Sequence, residues 1–327
     1  RYNLIATIGV PKLWLCGHMD TVESKNKKQL IPKYRKGKLY GLGAVDMKGG
    51  IAAILTAVNC AEVKNNLGLL FYCDEEYSFQ GMRSFIKEFK AKPYLSVFAE
   101  PTNLAISNAH RGLIELYAVI KGKSGHAARP EEGKNAIIGA GKAIEKLTTI
   151  LAKKYSLPET GITTCTLSSM RGGTQVGTKD QDIIYALGTN IIPDTAEINL
   201  DIRPAKIGLS SNKIIHLLNQ CVKNEGMVLK TVKVKEDLGP LITPKNKLKI
   251  LEETILEELG SVDYLPPQKM GYGDGQLLFE KTKTPVVYFG PGPTETCHKK
   301  DEYVTLDSLE KTTRIFKRLI EKYAKGE

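Results

Sequence analysis

Cysteine is sparse in this sequence, and its spacing marks no redox or disulfide motif. The six cysteines, at positions 16, 60, 73, 165, 221 and 297, are scattered, and no Cys-x-x-Cys pair occurs. A dense disulfide framework, which small secreted domains need, is therefore not indicated. We expect a reducing, cytoplasmic compartment.

Long hydrophobic runs are also missing. No apolar run approaches the roughly 18 residues that a membrane-spanning helix needs. The longest candidate, Ile51 to Val63, is short and contains Asn59 and Glu62, which is typical of a buried helix. We expect no membrane association. The sequence has no initiating methionine and enters a strand by Leu13, so we expect a leading segment, and a signal peptide stays open.

Acidic residues do not balance the basic ones. The chain has 47 lysines and arginines against 36 aspartates and glutamates, a formal charge of +11, with one denser basic stretch from Lys25 to Lys38. No basic motif with interleaved aromatic residues occurs, so we expect no nucleic-acid partner. The surplus charge is either a solvated lysine-rich surface or a field that favours an anionic substrate or an acidic protein partner.

The hydrophobic pattern predicts two domains. From residue 13 to 99, apolar strand-like runs alternate with helical patterns, which predicts an α/β domain with a central sheet flanked by helices. From Gly112 to Val234, alternating strands and amphipathic helices predict an α+β domain inserted into the first. We place the first domain at residues 1–107 and 239–327, and the inserted domain at 108–238.

Histidines and carboxylates recur where apolar runs end or glycines cluster. They are His18 and Asp20 after residues 13–17, Asp46 among the glycines of 41–50, Glu75 and Glu76 after 67–73, Glu100 after 95–99, and His298 after 290–293. Each alone has an ordinary explanation, such as a strand-end histidine bonded to an aspartate or a solvated glutamate pair. Because open α/β sheets build sites at strand ends, the set predicts one site.

The chemistry of this set indicates a metal. Two histidines with several carboxylates suit zinc, with cobalt or manganese as substitutes. The acids exceed the needs of one zinc ion, which favours two ions about 3.5 to 4 Å apart, bridged by Asp46. Glu75 and Glu76 are adjacent, and a regular strand would point them in opposite directions. One could then bind metal while the other takes a proton from water.

Two cysteines lie near the predicted histidine ligands. Cys16 and Cys297 are each within two residues of His18 or His298. A thiolate there could bind zinc, although a cysteine in such a place is more often a small buried apolar group.

Together these segments resemble the zinc aminoacylase and peptidase family that includes acetylornithine deacetylase, succinyl-diaminopimelate desuccinylase and the bacterial glutamate carboxypeptidase. The resemblance extends from Leu13 to about Thr305. It implies two zinc ions per chain and a role for each residue: His18, Asp46 and Glu100 for one zinc; Asp46, Glu76 and His298 for the other; Glu75 as general base; and Asp20 to orient His18.

Three motifs of the inserted segment extend the resemblance. Residues 122–135, which include His126, resemble the segment through which such enzymes form a homodimer and place a histidine in the partner's active site. Residues 188–193 and 201–204 resemble the segments with a substrate-holding asparagine and arginine, here Asn190 and Arg203. An arginine fork suits a substrate carboxylate, although Arg203 alone would be an ordinary surface residue. The resemblance thus implies a dimerisation or lid domain.

The sequence departs from the family pattern in three places. The helix-rich segment of several dozen residues that the family usually has before the first strand is absent or unseen in the sequence given. The late glycine-rich loop reads Gly273-Asp274-Gly275-Gln276, where relatives commonly have an arginine after Ser-Asp-Gly. Tyr77 and Phe79 replace small residues after the glutamate pair. These differences leave the acyl-amino acid open.

By this resemblance we expect an enzyme that hydrolyses a linear amide and removes an acyl group from an N-acyl amino acid. A dipeptidase or carboxypeptidase on the same scaffold is the alternative, so the substrate is a small N-acyl amino acid or a short peptide. The basic charge suggests a variant in which an amino acid is released from an acidic carrier protein. A catalytically silent small-molecule binder is a further interpretation, but it has little need of Glu75.

Overall fold

The computed structural model describes residues 1–180 and 182–326, which form two compact units. Unit 1 consists of residues 1–110 and the part of the chain from 241 onward, and unit 2 is Arg111–Pro240. The chain thus leaves unit 1 after His110 and returns at Leu241, whereas the sequence placed these crossings after residues 107 and 238.

The described residues form strands and helices throughout both units. In chain order the strands are β1 (Leu4–Ile8), β2 (Leu13–His18), β3 (Lys33–Arg35), β4 (Lys38–Tyr40), β5 (Leu67–Tyr72), β6 (Leu95–Phe98), β7 (Ala109–His110), β8 (Leu113–Lys121), β9 (Thr164–Gly173), β10 (Gln175–Lys179), β11 (Asp182–Tyr185), β12 (Thr195–Arg203), β13 (Val228–Leu238), β14 (Leu241–Ile242), β15 (Val286–Tyr288) and β16 (Tyr303–Thr305). The helices are α1 (Gly49–Cys60), α2 (Gln80–Glu88), α3 (Ala136–Lys154), α4 (Ser211–Asn224), α5 (Lys249–Leu259), α6 (Gly275–Thr282) and α7 (Leu306–Lys325).

Unit 1 is built on a five-stranded sheet with the order β1-β5-β2-β6-β15. Strand β1 is antiparallel to β5, and the other neighbours are parallel. Helices α1, α5 and α7 pack on the face that carries Leu13 and Leu15. On the opposite face the Trp14 ring lies 5.6 Å from the ring of Phe85 in α2. Strands β2, β5 and β6 are buried along their length, which explains their continuous apolar sequences.

Two small sheets complete unit 1. Strands β16, β4 and β3 form an antiparallel sheet, in which Tyr303 pairs with Tyr40 and Lys33 pairs with Tyr40. Strands β7 and β14 pair next to the points where the chain leaves and re-enters unit 1, with Leu241 opposite His110. The β16–β4 and β7–β14 pairings each join segments that are far apart in the sequence.

Unit 2 has a four-stranded antiparallel sheet with the order β13-β8-β12-β9. Helices α3 and α4 cover one face, where alternate residues of β8 and β12, such as Leu116 and Ile198, are fully or almost fully buried. Strands β10 and β11 form a separate hairpin. The predicted α/β domain with an inserted α+β domain is confirmed.

The hydrophobic periodicity predicts a helix over residues 135–147 and another from about Lys245 to Leu259, and both differ in extent from the observed helices. Helix α3 continues to Lys154 rather than ending at Leu147, because Leu151 adds another buried turn. Asn135 lies outside this helix and caps it by accepting the N–H groups of Ile137 and Ile138. Helix α5 begins four residues later than predicted, at Lys249. No helix in the described part of the chain is long and apolar enough to cross a membrane.

Candidate active site

The carboxyl ends of three parallel strands bring the predicted site residues to one edge of the sheet. In the β2–β5 pair His18 is opposite Tyr72, and in the β2–β6 pair Cys16 is opposite Phe98. The strands therefore end side by side, as in other open α/β sheets with sites at this edge. Glu75 and Glu76 follow β5, and Glu100 follows β6 by two residues.

Asp46 lies between the two predicted histidine ligands. Its Oδ1 is 3.1 Å from Nε2 of His18, and its Oδ2 is 3.3 Å from Nε2 of His298. Nε2 of His298 is also 3.1 Å from Oε2 of Glu76, and Nε2 of His18 is 3.9 Å from Oε1 of Glu100. Each carboxylate oxygen of Asp46 thus faces a different imidazole, which is the arrangement a bridging carboxylate needs.

These donors fit a metal ion. One ligand atom each from His18, Asp46 and Glu76 lie within 4.8 Å of one another. His18 is 1% exposed, and Glu100 is buried as well. Imidazole nitrogens and carboxylate oxygens in one buried cluster suit zinc and similar cations.

The backbone around Asp46 is fixed by residues distant in sequence. The N–H groups of Val45 and Asp46 donate to Oε1 of Glu302, at 3.0 and 3.2 Å. The peptide bond between Asp46 and Met47 is cis. A Cβ at Gly50 would lie 2.2 Å from the carbonyl oxygen of Ala99, so only glycine permits this close approach of α1. Sequence reasoning missed Glu302, which belongs to none of the recognised motifs.

The glutamate pair is positioned by Asp20 rather than by a strand. The expectation that strand alternation separates Glu75 from Glu76 is wrong, because β5 ends at Tyr72 and both glutamates lie in the following turn. Oδ1 of Asp20 accepts the N–H of Glu75 at 3.2 Å, and Oδ2 accepts the N–H of Glu76 at 3.1 Å. Nδ1 of His18 is 3.1 Å from the Asp20 carbonyl oxygen and 3.6 Å from its carboxylate. Asp20 therefore contacts both the histidine and the glutamate pair.

Burial and mutual repulsion raise the pKa values of the acids in the site. Burial, with the negative charges of Asp274 and Glu100, raises the pKa of Glu75 well above its ordinary value. Burial also raises the pKa of Glu100 to about 8, although His18 opposes this shift, and that of Asp274 to about 7. So many buried carboxylates favour a bound cation, because each disfavours the ionised form of the others.

The pKa values of the two histidines are raised as well, which for an imidazole favours the charged form. The hydrogen bond with Asp46, supported by Glu76, raises the pKa of His298 to about 9. Burial disfavours the charged form of His18, but hydrogen bonds with Asp20 and Asp46 outweigh it and raise the pKa well above its ordinary value. The carboxylates thus stabilise positive charge at this position.

Asp274 is a site neighbour that sequence reasoning noted in a motif without giving it a role. It is 1% exposed, and the Tyr72 hydroxyl donates to its Oδ1 at 2.7 Å. The sequence feature that could have indicated this role is a single acid between two glycines, Gly273 and Gly275. Both glycines pack against the Tyr288 hydroxyl. The charge of Asp274 is among those that raise the pKa of Glu75.

The two cysteines near the histidines have disfavoured thiolates. Burial, together with the charge of Asp274, raises the pKa of Cys16 well above its ordinary value. Burial and the nearby acids raise that of Cys297 as well. Among the described residues, the group of closely spaced potential ligands is His18, Asp46 and Glu76 and includes neither cysteine, which favours the interpretation of both as small apolar groups.

Unit 2 carries the other three predicted residues. His126 forms a β-bridge with Ile191, and the N–H of Ala127 donates to the carbonyl oxygen of Asn190 at 2.8 Å, so His126 and Asn190 lie in one loop cluster. Nδ1 of the exposed His126 accepts the N–H of Ala128 at 3.1 Å, which leaves the proton of a neutral ring on Nε2.

Arg203, the predicted substrate-holding cation, is engaged within its own unit. It ends β12, and its Nε and Nη2 donate to the two carboxylate oxygens of Asp201 at 2.7 and 2.8 Å. The bidentate fork expected for a substrate is thus occupied by an internal carboxylate.

Comparison with known proteins identifies the family to which the chain belongs. The model of peptidase family M20/M25/M40 matches residues 14–322. Acetylornithine deacetylase of Proteus mirabilis is 29% identical over 100% of this chain and 84% of its own length, and that of Buchnera aphidicola from Acyrthosiphon pisum is 28% identical over 99% and 84%.

Solved structures show the same architecture. Aminopeptidase PepT from Bacillus cereus matches with a TM-score of 0.78 and 23% identity over 98% of this chain and 84% of its own. The M20 family metallo-carboxypeptidase from Sulfolobus solfataricus matches with a TM-score of 0.70 and 17% identity, over 98% and 87%. The fold is therefore that of the zinc-peptidase catalytic domain with its inserted α+β domain. The chain belongs to peptidase family M20/M25/M40, and the protein is a hydrolase of amide bonds.

Proposed function

We propose that this protein is a dizinc deacylase that hydrolyses an N-acyl amino acid to a free amine and a carboxylate. The observation that carries the proposal is Asp46 between His18 and His298, with Glu75 in the same cluster. The curated relatives named above are acetylornithine deacetylases, which supports this substrate class.

Five residues would hold the metals: His18, Asp46 and Glu100 for one ion, and Asp46, Glu76 and His298 for the other. Zinc bound there would supply a Lewis acid for the amide carbonyl and lower the pKa of a water to about 7. Cobalt or manganese suit the same donors.

Glu75 is the proposed general base. It accepts a proton from the water whose oxygen forms the new bond to the acyl carbon, and it delivers that proton to the nitrogen as the C–N bond breaks. Its raised pKa favours the second half of this transfer, in which the carboxyl group acts as an acid. Asp20 holds the backbone of Glu75 and so fixes the base in place.

The proposed active unit is a homodimer. His126 would donate its Nε2–H to the oxyanion in the partner subunit's site, which agrees with the acceptor role of its Nδ1. Asn190 and Arg203 would hold the substrate carboxylate. Because Asp201 already occupies two donors of Arg203, this grip would be shared with Asp201 rather than bidentate.

A dipeptidase or carboxypeptidase is the second candidate. Gln276 stands where relatives commonly have an arginine, and it is fully buried, so this loop offers no cation to a substrate carboxylate. Discrimination between an N-acyl amino acid and a short peptide then depends on unit 2. Release of an amino acid from an acidic carrier protein is a variant that the charge of +11 supports.

A cytoplasmic location accompanies this proposal. All six cysteines lie in the described part of the chain, and each is free there. Unpaired thiols are typical of a reducing compartment.

The test combines a metal count with hydrolysis rates. Purified protein should contain about two zinc ions per chain and lose turnover on chelation. N-acetylornithine and N-succinyl-diaminopimelate should be cleaved faster than dipeptides. Faster dipeptide cleavage would favour the peptidase, and metal-loaded protein that cleaves none of them would favour a binder. Full activity without a transition metal would overturn the mechanism.

A further inference from the structure

A concave basic surface lies on unit 1 apart from the metal-ligand cluster. We call it the basic groove: a cavity of about 1060 Å³ between β3, β4, the preceding residues 26–31 and the segment Lys300–Tyr303. It contains most of the cations of the charged stretch from Lys25 to Lys38, which have no proposed role in the active site. None of the five proposed metal ligands lines it.

Positive charge exceeds negative charge in the basic groove. Its walls carry the cations Lys28, Lys33, Arg35, Lys36, Lys38 and Lys300. Only two carboxylates, Asp301 and Glu302, face them. Oε1 of Glu302 already accepts hydrogen bonds from the N–H groups of Val45 and Asp46, so this oxygen is engaged by the backbone around Asp46.

Most of these cations lack an internal partner. The ammonium of Lys38 lies 3.9 Å from the centre of the Tyr303 ring. The other five form no ion pair with any carboxylate of residues 1–180 and 182–326. Like charges gathered in one concavity repel each other, and a bound anion would relieve that repulsion.

The cations of α7 show the contrast. Arg314 donates to Glu258 at 2.5 Å, and Lys322 donates to Glu257 at 2.7 Å, so these long side chains are neutralised by α5. Helix packing could have placed acids opposite the basic groove in the same way. Within the described part of the chain, the cations of the basic groove differ from these α7 cations in having no such acidic partner.

The shape of the groove favours a small ligand. Its volume of about 1060 Å³ is slightly above the range of about 300 to 1,000 Å³ typical of small-molecule sites. The cations come from separate segments of the chain, since Lys33 and Arg35 belong to β3 and Lys300 lies in the segment after His298. Tyr34, which is 64% exposed, adds an aromatic face at the rim.

We propose that the basic groove binds a small anion that carries two or more phosphate or carboxylate groups. The several unpaired cations require a polyvalent ligand, because one monovalent group leaves most of the charge uncompensated. None of the proposed catalytic or substrate-binding residues lines the groove, and the proposal does not rest on the proposed function.

The test is calorimetric titration of the full, metal-loaded protein with tripolyphosphate, citrate and ATP. The test variant is Lys33→Glu with Arg35→Glu. The control is Lys230→Glu with Lys235→Glu, which makes the same charge change on β13, another exposed strand. We expect at least about tenfold weaker binding in the test variant and less than about twofold change in the control. Anions that bind the metals would do so equally in both variants.

The three anions separate the sources of the ligand. Tighter binding of tripolyphosphate than of citrate indicates a ligand with phosphate groups, and tighter binding of citrate indicates a ligand with carboxylate groups. Tighter binding of ATP than of tripolyphosphate indicates that Tyr34 contacts a ring. Each of these supports the proposal. If the test variant has a lower melting temperature than the wild-type protein, a second variant replaces it. This variant is Lys28→Glu with Lys300→Glu, which changes two other cations of the groove.

Three results would overturn the proposal. They are equal binding by test and control variants, no binding of any of the anions at about 1 mM, and an acidic decapeptide that binds the groove at least about tenfold more tightly than every small anion. The last result would assign the groove to a protein partner.

Discussion

Asp20 holds Glu75 through the backbone: Oδ1 of Asp20 accepts the N–H of Glu75 at 3.2 Å, while Oδ2 accepts the next N–H along the chain. The same residue faces Nδ1 of His18 with its carbonyl oxygen and, at a longer distance, its carboxylate. One side chain thus ties a predicted ligand and the predicted base to a common position.

Replacing Asp20 should therefore affect turnover more than folding. Asp20→Asn leaves one acceptor oxygen for two N–H groups and removes a negative charge near His18. We expect kcat/KM to fall by about 10- to 100-fold, as for other residues that support metal ligands. The control is Asp263→Asn, an exposed aspartate of unit 1. Equal kcat/KM values for the two variants would show that Asp20 has no role in the reaction.

Glutamine at the two adjacent acids should separate base from ligand. Glu75→Gln keeps size and polarity but cannot accept the proton, so kcat should fall by at least about 10² while zinc content is unchanged. Glu76→Gln should lose zinc, because its carboxylate faces His298 at 3.1 Å. Metal analysis and steady-state rates check both. Equal zinc loss in the two variants, with proportionate activity, would contradict the assigned roles.

Glycine at position 50 should be required for the site to form. In Gly50→Ala the new Cβ would meet the Ala99 carbonyl oxygen, and overpacking of this kind costs about 1–3 kcal/mol. The neighbouring Glu100 should move, so zinc content should fall as well. Gly141→Ala is the control: it lies within α3 with nothing within 4 Å, and should gain about 0.5–1 kcal/mol. Urea unfolding measures both, and a Gly50→Ala protein as stable as wild type would refute the close approach.

A mixing experiment tests whether His126 acts across a homodimer. Pure His126→Ala and pure Glu75→Gln proteins should each be nearly inactive, since loss of one oxyanion donor typically costs about 10² to 10³ in kcat. After subunit exchange, each heterodimer should regain about one working site, with an intact Glu75 on one chain and His126 from the other. If exchange is demonstrated and activity stays low, His126 acts within its own chain or has no catalytic role.

The positions of the proposed metal ligands follow from sequence patterns that folding preserves. Strand β2 is buried on both faces, so it reads as an uninterrupted apolar run that ends at His18. Glu100 follows β6 for the same reason. Parallel pairing then places such ends together without any further information from the residues.

The roles of Asp74 and Glu302, which support the site, could not be predicted from such patterns. Strand β5 ends at Tyr72, and the buried Asp74 turns the chain with a left-handed φ of 69°. The residue type alone does not predict a turn at this position. The Asp74 carboxylate accepts the hydroxyl of Ser78. Glu302 acts only because the fold brings a segment 256 residues away against the backbone of Asp46. Contacts of this kind depend on tertiary structure and leave no local signal.

Two strand pairings together have a consequence for the order of folding. Within unit 2, Leu113 of β8 lies opposite Leu238 of β13, so the folded insertion holds its own ends side by side. Closing an unstructured segment of this size would cost about 4 kcal/mol in chain entropy before β7 meets β14. An insertion that folds first removes most of that cost. In pulsed hydrogen exchange, the amides of β8 and β13 should therefore gain protection before those of β7 and β14.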